Sequence, residues 1–291
     1  MHAKTSAQSG GMNRDLERDL ARFGGVARRD ALVRLGHTAH SLRKGIAAGV
    51  AVVPRRGWLC ATSVPPDRRR AVELGGKLGG SSALASYGVW VDGGNLVVAM
   101  PSGASGRAPI RPGEVRTWGK ERFPKQGAAQ WRVSVQDALL QLAVEGDTPS
   151  LVASIDSALY TRQLSASDLP SLIGALPRHL RHIRSIVDGR SMSGTETKLR
   201  LACIRAGLRV AIQVPIERVG TVDLLIDEWL IIEVDSHKHH DEPIQQHKDR
   251  IRDGNAVLGR FGELRFDYQL VQFELAWCID VILAQLACGP P

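Results

Sequence analysis

At 291 residues the chain has room for two or three domains and an adequate core. Its net charge of +8 and pI near 9.7 point to an acidic partner, most commonly nucleic acid, with the arginine usage of a GC-rich genome as the alternative source of the charge. Four scattered cysteines (Cys60, Cys203, Cys278, Cys288) exclude a cysteine-ligated zinc knuckle and fit a reducing cytoplasm. The opening MHAKTSAQSGG lacks the apolar core of a signal peptide or membrane span. Residues 1–12 therefore read as a disordered tail, with Met12 as an alternative start, on a soluble cytoplasmic protein with no membrane partner.

Over residues 13–70, Leu16, Leu20 and Phe23 recur on one helical face that Gly24-Gly25 ends. A second helix runs through Arg29 to Leu35 and stops at Gly36. Thr38 can cap a third, with Leu42 and Ile46 inward and Gly49 at its end. VAVVPRRGWLCAT then reads as two strands around Pro54-Arg55-Arg56-Gly57. Three short helices followed by a hairpin predict a winged helix-turn-helix. His37, His40, Ser41, Arg43 and Lys44 on or beside the third helix would enter a major groove, and Arg55 and Arg56 would meet phosphate. The alternative is a protein-binding module with a solvated basic face. The segment resembles the N-terminal winged helix of AbiEi-type antitoxins and related actinobacterial regulators. That resemblance implies DNA as a partner, with a protein partner in a defence or toxin–antitoxin system.

Residues 71–190 read as a helix-rich α+β connector. AVELGGKLGGSSALASYGV predicts a small-residue helix whose glycines permit close packing. NLVVAM is a short strand, SGASGRAPIRPGE a flexible basic loop offering Arg107 and Arg111 to phosphate, and Trp131 to Val135 a further strand. VSVQDALLQLAVEG and SLVASIDSALYTRQL are amphipathic helices, and Ser165 to Leu180 continues the pattern. Nothing here suggests catalysis, and the GxxG patterns lack the strand–glycine–helix setting of a phosphate-binding loop.

Residues 191–291 carry the chemistry. Ser193 and Glu196 have capping-box spacing, while Glu196 shares a helical face with Leu199 and Cys203; helix cap and active-site acid are equally open readings. TVDLLIDEWLIIEVD reads as a hairpin with Asp223 on the first strand and Glu233 and Asp235 on one face of the second. Acids so close to apolar strands are costly unless paired or bound to a cation. With Asp227-Glu228-Trp229 as the loop, Asp223 falls opposite Glu233, their Cβ atoms roughly 5 Å apart. A two-residue loop would turn Asp223 to the wrong face, so a metal site requires the longer loop or a bulge. Pro243 to Gly259 predicts a helix with Ile244, Ile251 and Leu258 inward. It leaves Lys248, Arg252 and Arg260 partly outward and assigns Asp249 and Asp253 to salt bridges. Leu264 to Tyr268 predicts a strand and Val271 to Leu286 a single closing helix.

An acid, a gap of about ten residues and Glu-x-acid on the next strand resemble the PD-(D/E)xK nucleases. EVDSHKHH followed by DRIRD resembles their Vsr-like branch more closely, with Asp223, Glu233, Asp235, His240, Asp249, Arg250, Arg252 and Asp253 matching its pattern. Two positions depart from it. Ser236 stands where the branch usually has glycine, and Asp235 replaces the superfamily lysine. The resemblance implies a multidomain α/β protein ending in a restriction-endonuclease-like domain that cleaves or nicks DNA with Mg²⁺ or Mn²⁺. It assigns metal ligation to Asp223, Glu233 and the Val234 carbonyl, catalytic roles to Glu196, Asp235 and His240, and phosphate contacts to Arg250 and Arg252. Magnesium suits two carboxylates because it keeps several waters in an octahedral oxygen shell. His240 would activate water or stabilise the leaving oxygen, since an imidazole titrates near neutral pH. Lys238 is a candidate substitute for the missing lysine. Histidines 237, 239, 240 and 247 invite a zinc reading, but no other ligand set lies near them. The departures leave a second function open, a non-catalytic DNA-binding regulator or antitoxin with a degenerate nuclease domain, and a third, an RNA nuclease.

Overall fold

The computed structural model describes residues 15–124, 129–235 and 243–291, which fold as a mixed α/β chain in two compact units. One unit takes the chain up to Tyr87 together with Asp92–Val144; the other takes Gly88–Val91 and Glu145–Pro291. Residues 145–190 thus lie in the same unit as 191–291. Among the described residues no helix is long and apolar enough to cross a membrane.

The first unit opens with helix α1 (15–22), whose Leu16 and Leu20 are buried. Gly24 and Gly25 end it at φ +68° and +82°, a region that side chains with a Cβ seldom adopt. There follow β1 (Val26–Arg28), α2 (Arg29–Arg34), α3 (Ala39–Ala47), β2 (Ala51–Val52) and β3 (Trp58–Ala61). The strands form an antiparallel sheet ordered β1-β3-β2. Thr38 caps α3 reciprocally with Ser41: its Oγ1 accepts the Ser41 N–H at 3.1 Å, and Ser41 Oγ accepts the Thr38 N–H at 2.9 Å.

The segment expected as one small-residue helix is instead α4 (Pro66–Glu73), β4 (Lys77–Leu78) and α5 (Gly80–Ser86). The glycines explain the break. Gly75 sits at φ +79°, and a Cβ on Gly76 would lie 2.6 Å from Val98 Cγ1 and 2.7 Å from the Ala99 carbonyl. β4 pairs with β5 (Leu96–Met100), which pairs in parallel with β6 (Glu114–Trp118). The basic loop expected to be flexible is gathered on buried Arg116, which donates to the carbonyls of Gly106 (3.0 Å), Ala108 (2.6 Å) and Pro109 (2.8 Å). The strand expected at Trp131 to Val135 is only an isolated bridge, Leu78 to Arg132, before α6 (Val135–Glu145).

The second unit holds α7 (Thr148–Tyr160), α8 (Leu169–Ala175), a 3-10 helix (Arg178–Ser185) and α9 (Gly194–Arg205). A four-stranded sheet follows, β7 (Val210–Ile216), β8 (Gly220–Ile226), β9 (Leu230–Asp235) and β10 (Gly262–Asp267), ordered β10-β9-β8-β7. β9 and β10 are parallel, which demands a crossover, and α10 (Pro243–Leu258) supplies it. The expected closing helix is two, α11 (Tyr268–Phe273) and α12 (Leu275–Cys288): the Asp267 carboxylate caps the start of α11 at the Leu270 N–H, 2.8 Å away, and the chain leaves helical geometry at Glu274 between them. On one face of the sheet Leu224, Ile226, Leu230, Ile232 and Val234 pack with Leu199 and Cys203 of α9 and Cys278 and Ile282 of α12. Such fully buried aliphatic side chains contribute about 1.5–3 kcal/mol each. On the other face Val222 and Ile231 pack with Ala256 of α10.

The orientation of α10 differs from the expected apolar stripe. Ile251 is 53% exposed and Leu258 77%, while Ala256 is buried and Arg252 and Asp253 are half-buried. Arg252 turns inward because a carboxylate lies beneath it, and Asp253 pairs with Arg265 of β10.

Candidate functional site

The β8–β9 ladder runs Ile226 to Leu230, Leu225 to Ile231 and Leu224 to Ile232, so the hairpin loop is Asp227-Glu228-Trp229. Asp227 and Glu228 make that tight connection at φ +48° and +69°. Continuing the register places Asp223 opposite Glu233, and there the ladder stops. The Asp223 carboxylate takes over, its Oδ2 accepting the Val234 N–H at 2.9 Å.

The two sheet faces exchange at this point. Ile212 and Leu224 belong to the core under α9, whereas Val214 and Val222 belong to the core under α10. Between Ile212 and Val214 lies Gln213, at φ +50° inside a strand. Its amide Nε2 stands 3.3 Å from both Glu196 Oε2 and Asp223 Oδ1. Gln213 was missed at the sequence level; the available signal was a lone amide in an apolar strand, one short turn before Asp223.

Glu196 is capped at the start of α9 and also lies within reach of Asp223 through Gln213. Its backbone N–H is capped by Ser193 Oγ at 3.1 Å, its Oε2 accepts the Met192 N–H at 2.8 Å, and Gln213 ties it to Asp223. Burial first, and then the charge of Asp223, push its carboxyl up to about 7. Glu233 is pushed up to about 8 by burial and by Asp223, against the opposing charge of Arg252. Arg252 Nη2 pairs with Glu233 Oε1 and also donates to the Thr221 carbonyl at 2.9 Å. Arg252, expected partly outward, is half-buried with its side chain 28% exposed, and its guanidinium turns to the Glu233 carboxylate. Asp235 is exposed and opposite Asp267 in the parallel ladder, and Arg250 is exposed on α10. Ser236, His237, Lys238, His239 and His240 lie outside the described residues, as do the side chains of His247, Lys248 and Asp249.

Asp223, Glu196 and Glu233 gather around Gln213 and Val234, and of the three only Glu233 is paired with the Arg252 guanidinium. Asp223 and Glu233 are the residues that could offer oxygen donors to a cation such as Mg²⁺, were Arg252 to yield Glu233. Among the described residues no group of three or more His, Cys, Asp or Glu is arranged to hold a metal by itself.

The raised carboxyl of Glu196 makes stability depend on pH. Its folded value of about 7 exceeds the ordinary 4.5, so the folded state binds the extra proton between those limits. Stability falls as pH rises through that window and levels above it. Glu196→Gln, which cannot ionise, should gain on the wild type between pH 5 and pH 8 by on the order of 1–3 kcal/mol. Urea unfolding of both proteins in chelator at the two pH values measures this; a constant difference would sink it.

In the first unit, His40 and Arg43 of α3 are exposed, as are Arg55 and Arg56 between β2 and β3, and Lys44 is half-buried. Ser41 spends its hydroxyl on the cap, donating to the Thr38 carbonyl at 2.9 Å. His37 is not exposed as expected: its Nε2 lies 3.0 Å from Asp19 Oδ2, and both side chains are 7% exposed. A histidine just past α2 finds the buried acid of α1 before it finds solvent. No family model matches the chain, and no curated protein is significantly similar to it.

Proposed function

We propose that this chain is a metal-dependent DNA endonuclease or nickase. The observation that carries the reading is the Asp223 carboxylate at the opening of the β8–β9 ladder, joined by Glu233 and Glu196. Bound Mg²⁺ or Mn²⁺ would supply a more acidic water and offset charge on the phosphoryl oxygens. The chain's own part is to hold Asp223 rigidly through Val234 and Gln213, and to keep a proton on Glu196 or Glu233 near neutral pH. Arg252, once released from Glu233, would be free to pair with a phosphate. Residues 15–70 support DNA delivery as a winged helix, with His40 and Arg43 on α3 and Arg55-Arg56 between β2 and β3.

A second reading has its own support. Arg252 already neutralises Glu233, and the described residues hold no three-ligand group, which suits a DNA-binding regulator or antitoxin with a degenerate nuclease domain. Supercoiled plasmid separates the two. The wild type should convert it to nicked or linear DNA with Mg²⁺ or Mn²⁺ and fail to do so in chelator. Tight, salt-sensitive binding with no conversion in either metal would favour the regulator.

A further inference from the structure

The 3-10 helix Arg178–Ser185 spans eight residues, longer than such helices usually run. With three residues per turn, positions three apart eclipse one another and rise about 6 Å. The sequence RHLRHIRSI repeats at that period and sorts into three columns. Leu180 and Ile183 form the buried column, packed toward α7 and α8. His179 and His182 form the second, with His182 Nδ1 held 2.7 Å from the His179 carbonyl. Arg178, Arg181 and Arg184 form the third, and all three are exposed.

Among the described residues no acid is paired with this column. No Asp or Glu occurs between Asp168 and Asp188, and Asp188 is already paired with Arg190 at 2.7 Å. None of the three arginines forms an ion pair among the described residues. Arg181 anchors its Nε on the Leu176 carbonyl at 3.0 Å, which fixes the direction of its guanidinium. Eclipsed like charges repel, so the column costs the helix stability unless an anion meets it. One strand of a duplex carries a phosphate about every 3.4 Å of axis, so three long side chains rooted about 6 Å apart can reach phosphates along a single strand.

We propose that Arg178, Arg181 and Arg184 form a phosphate-tracking contact for one strand of nucleic acid, separate from the acidic site and from α3. The proposal rests on reading the chain as a nucleic-acid-binding protein, but it needs neither metal nor cleavage. Each phosphate neutralised on duplex DNA adds about 0.9 to the slope of log affinity against log salt. Substituting all three arginines by glutamine in the full chain should therefore make that slope shallower by about 2 to 3. Fluorescence anisotropy with a labelled duplex of arbitrary sequence, in chelator across a salt series, reads it out. A triple lysine variant should keep the wild-type slope, which separates charge from loss of fold. An unchanged slope in the glutamine variant overturns the contact, as does an equal loss of binding to polyglutamate, which would mark an acidic protein as the occupant. A shallower slope in a protein that never cleaves plasmid would uphold the column and retire the nuclease reading; cleavage with an unchanged slope would do the reverse.

Discussion

Asp223→Asn is expected to abolish metal-dependent cleavage while leaving the fold intact. Asparagine separates the charge from the Val234 bridge, at the cost of the Gln213 contact to Oδ1, where its Nδ2 would stand. Its carbonyl oxygen can still accept the Val234 N–H that Asp223 Oδ2 accepts at 2.9 Å, so the splayed strands keep their bridge. The negative charge is lost, and with it one of two carboxylates for a cation. Removing one preorganised electrostatic stabiliser costs on the order of 10²–10³ in rate. Loss of a ligand from so sparse a site should reach at least that. Asp223 also raises both neighbours, so Glu196 and Glu233 should titrate lower in the variant. The sign follows directly: less of the wild type's loss of stability with rising pH should remain. Plasmid conversion and urea unfolding on the same preparation test both halves. Wild-type cleavage by a well-folded Asp223→Asn protein would place the active site elsewhere or reveal a contaminating nuclease.

How far this geometry can be anticipated differs from residue to residue. The opposition of Asp223 and Glu233 follows from counting, because side chains alternate and a three-residue loop sets the register. The Thr38 cap is equally local, a hydroxyl three residues before its partner. Where tertiary contacts compete, counting fails. The apolar spacing of Ile251 and Leu258 suggests an inward stripe, yet Glu233 beneath α10 draws Arg252 in and rotates both apolar residues outward. The helix expected over 71–89 breaks because Val98 and the Ala99 carbonyl press on Gly76, a contact some twenty residues distant in sequence. Gln213 escapes for another reason: only Gly or Asn would advertise a positive φ, and a glutamine held there leaves no local signature.

Asp156→Ala should be the most destabilising single substitution in the second unit, by about 3–5 kcal/mol. Asp156 is fully buried on α7 and accepts from three groups: the Asp188 N–H at 2.7 Å, Arg200 Nη2 at 2.8 Å and Thr197 Oγ1 at 3.0 Å. Burial pushes its carboxyl up to about 6 although Arg200 lies against it, a sign of how costly desolvation is there. Alanine would strand Arg200, itself 4% exposed and with an Nε that already lacks a partner, as an uncompensated buried charge. Removing both charges is a different matter. Asp156→Leu with Arg200→Met should recover most of the loss, because an apolar pair avoids both desolvation penalties. The consequence reaches the acidic site, since Thr197 and Arg200 sit on α9 beside Glu196. Loosening α9 from α7 should weaken the grip of Gln213 on Glu196 and lower any metal affinity, and the double substitution should restore it. Chemical denaturation of the three proteins, with Mn²⁺ binding followed calorimetrically, decides the matter. A cost below 1 kcal/mol for Asp156→Ala would mean that water replaces the carboxylate and that α9 is held by its apolar face alone.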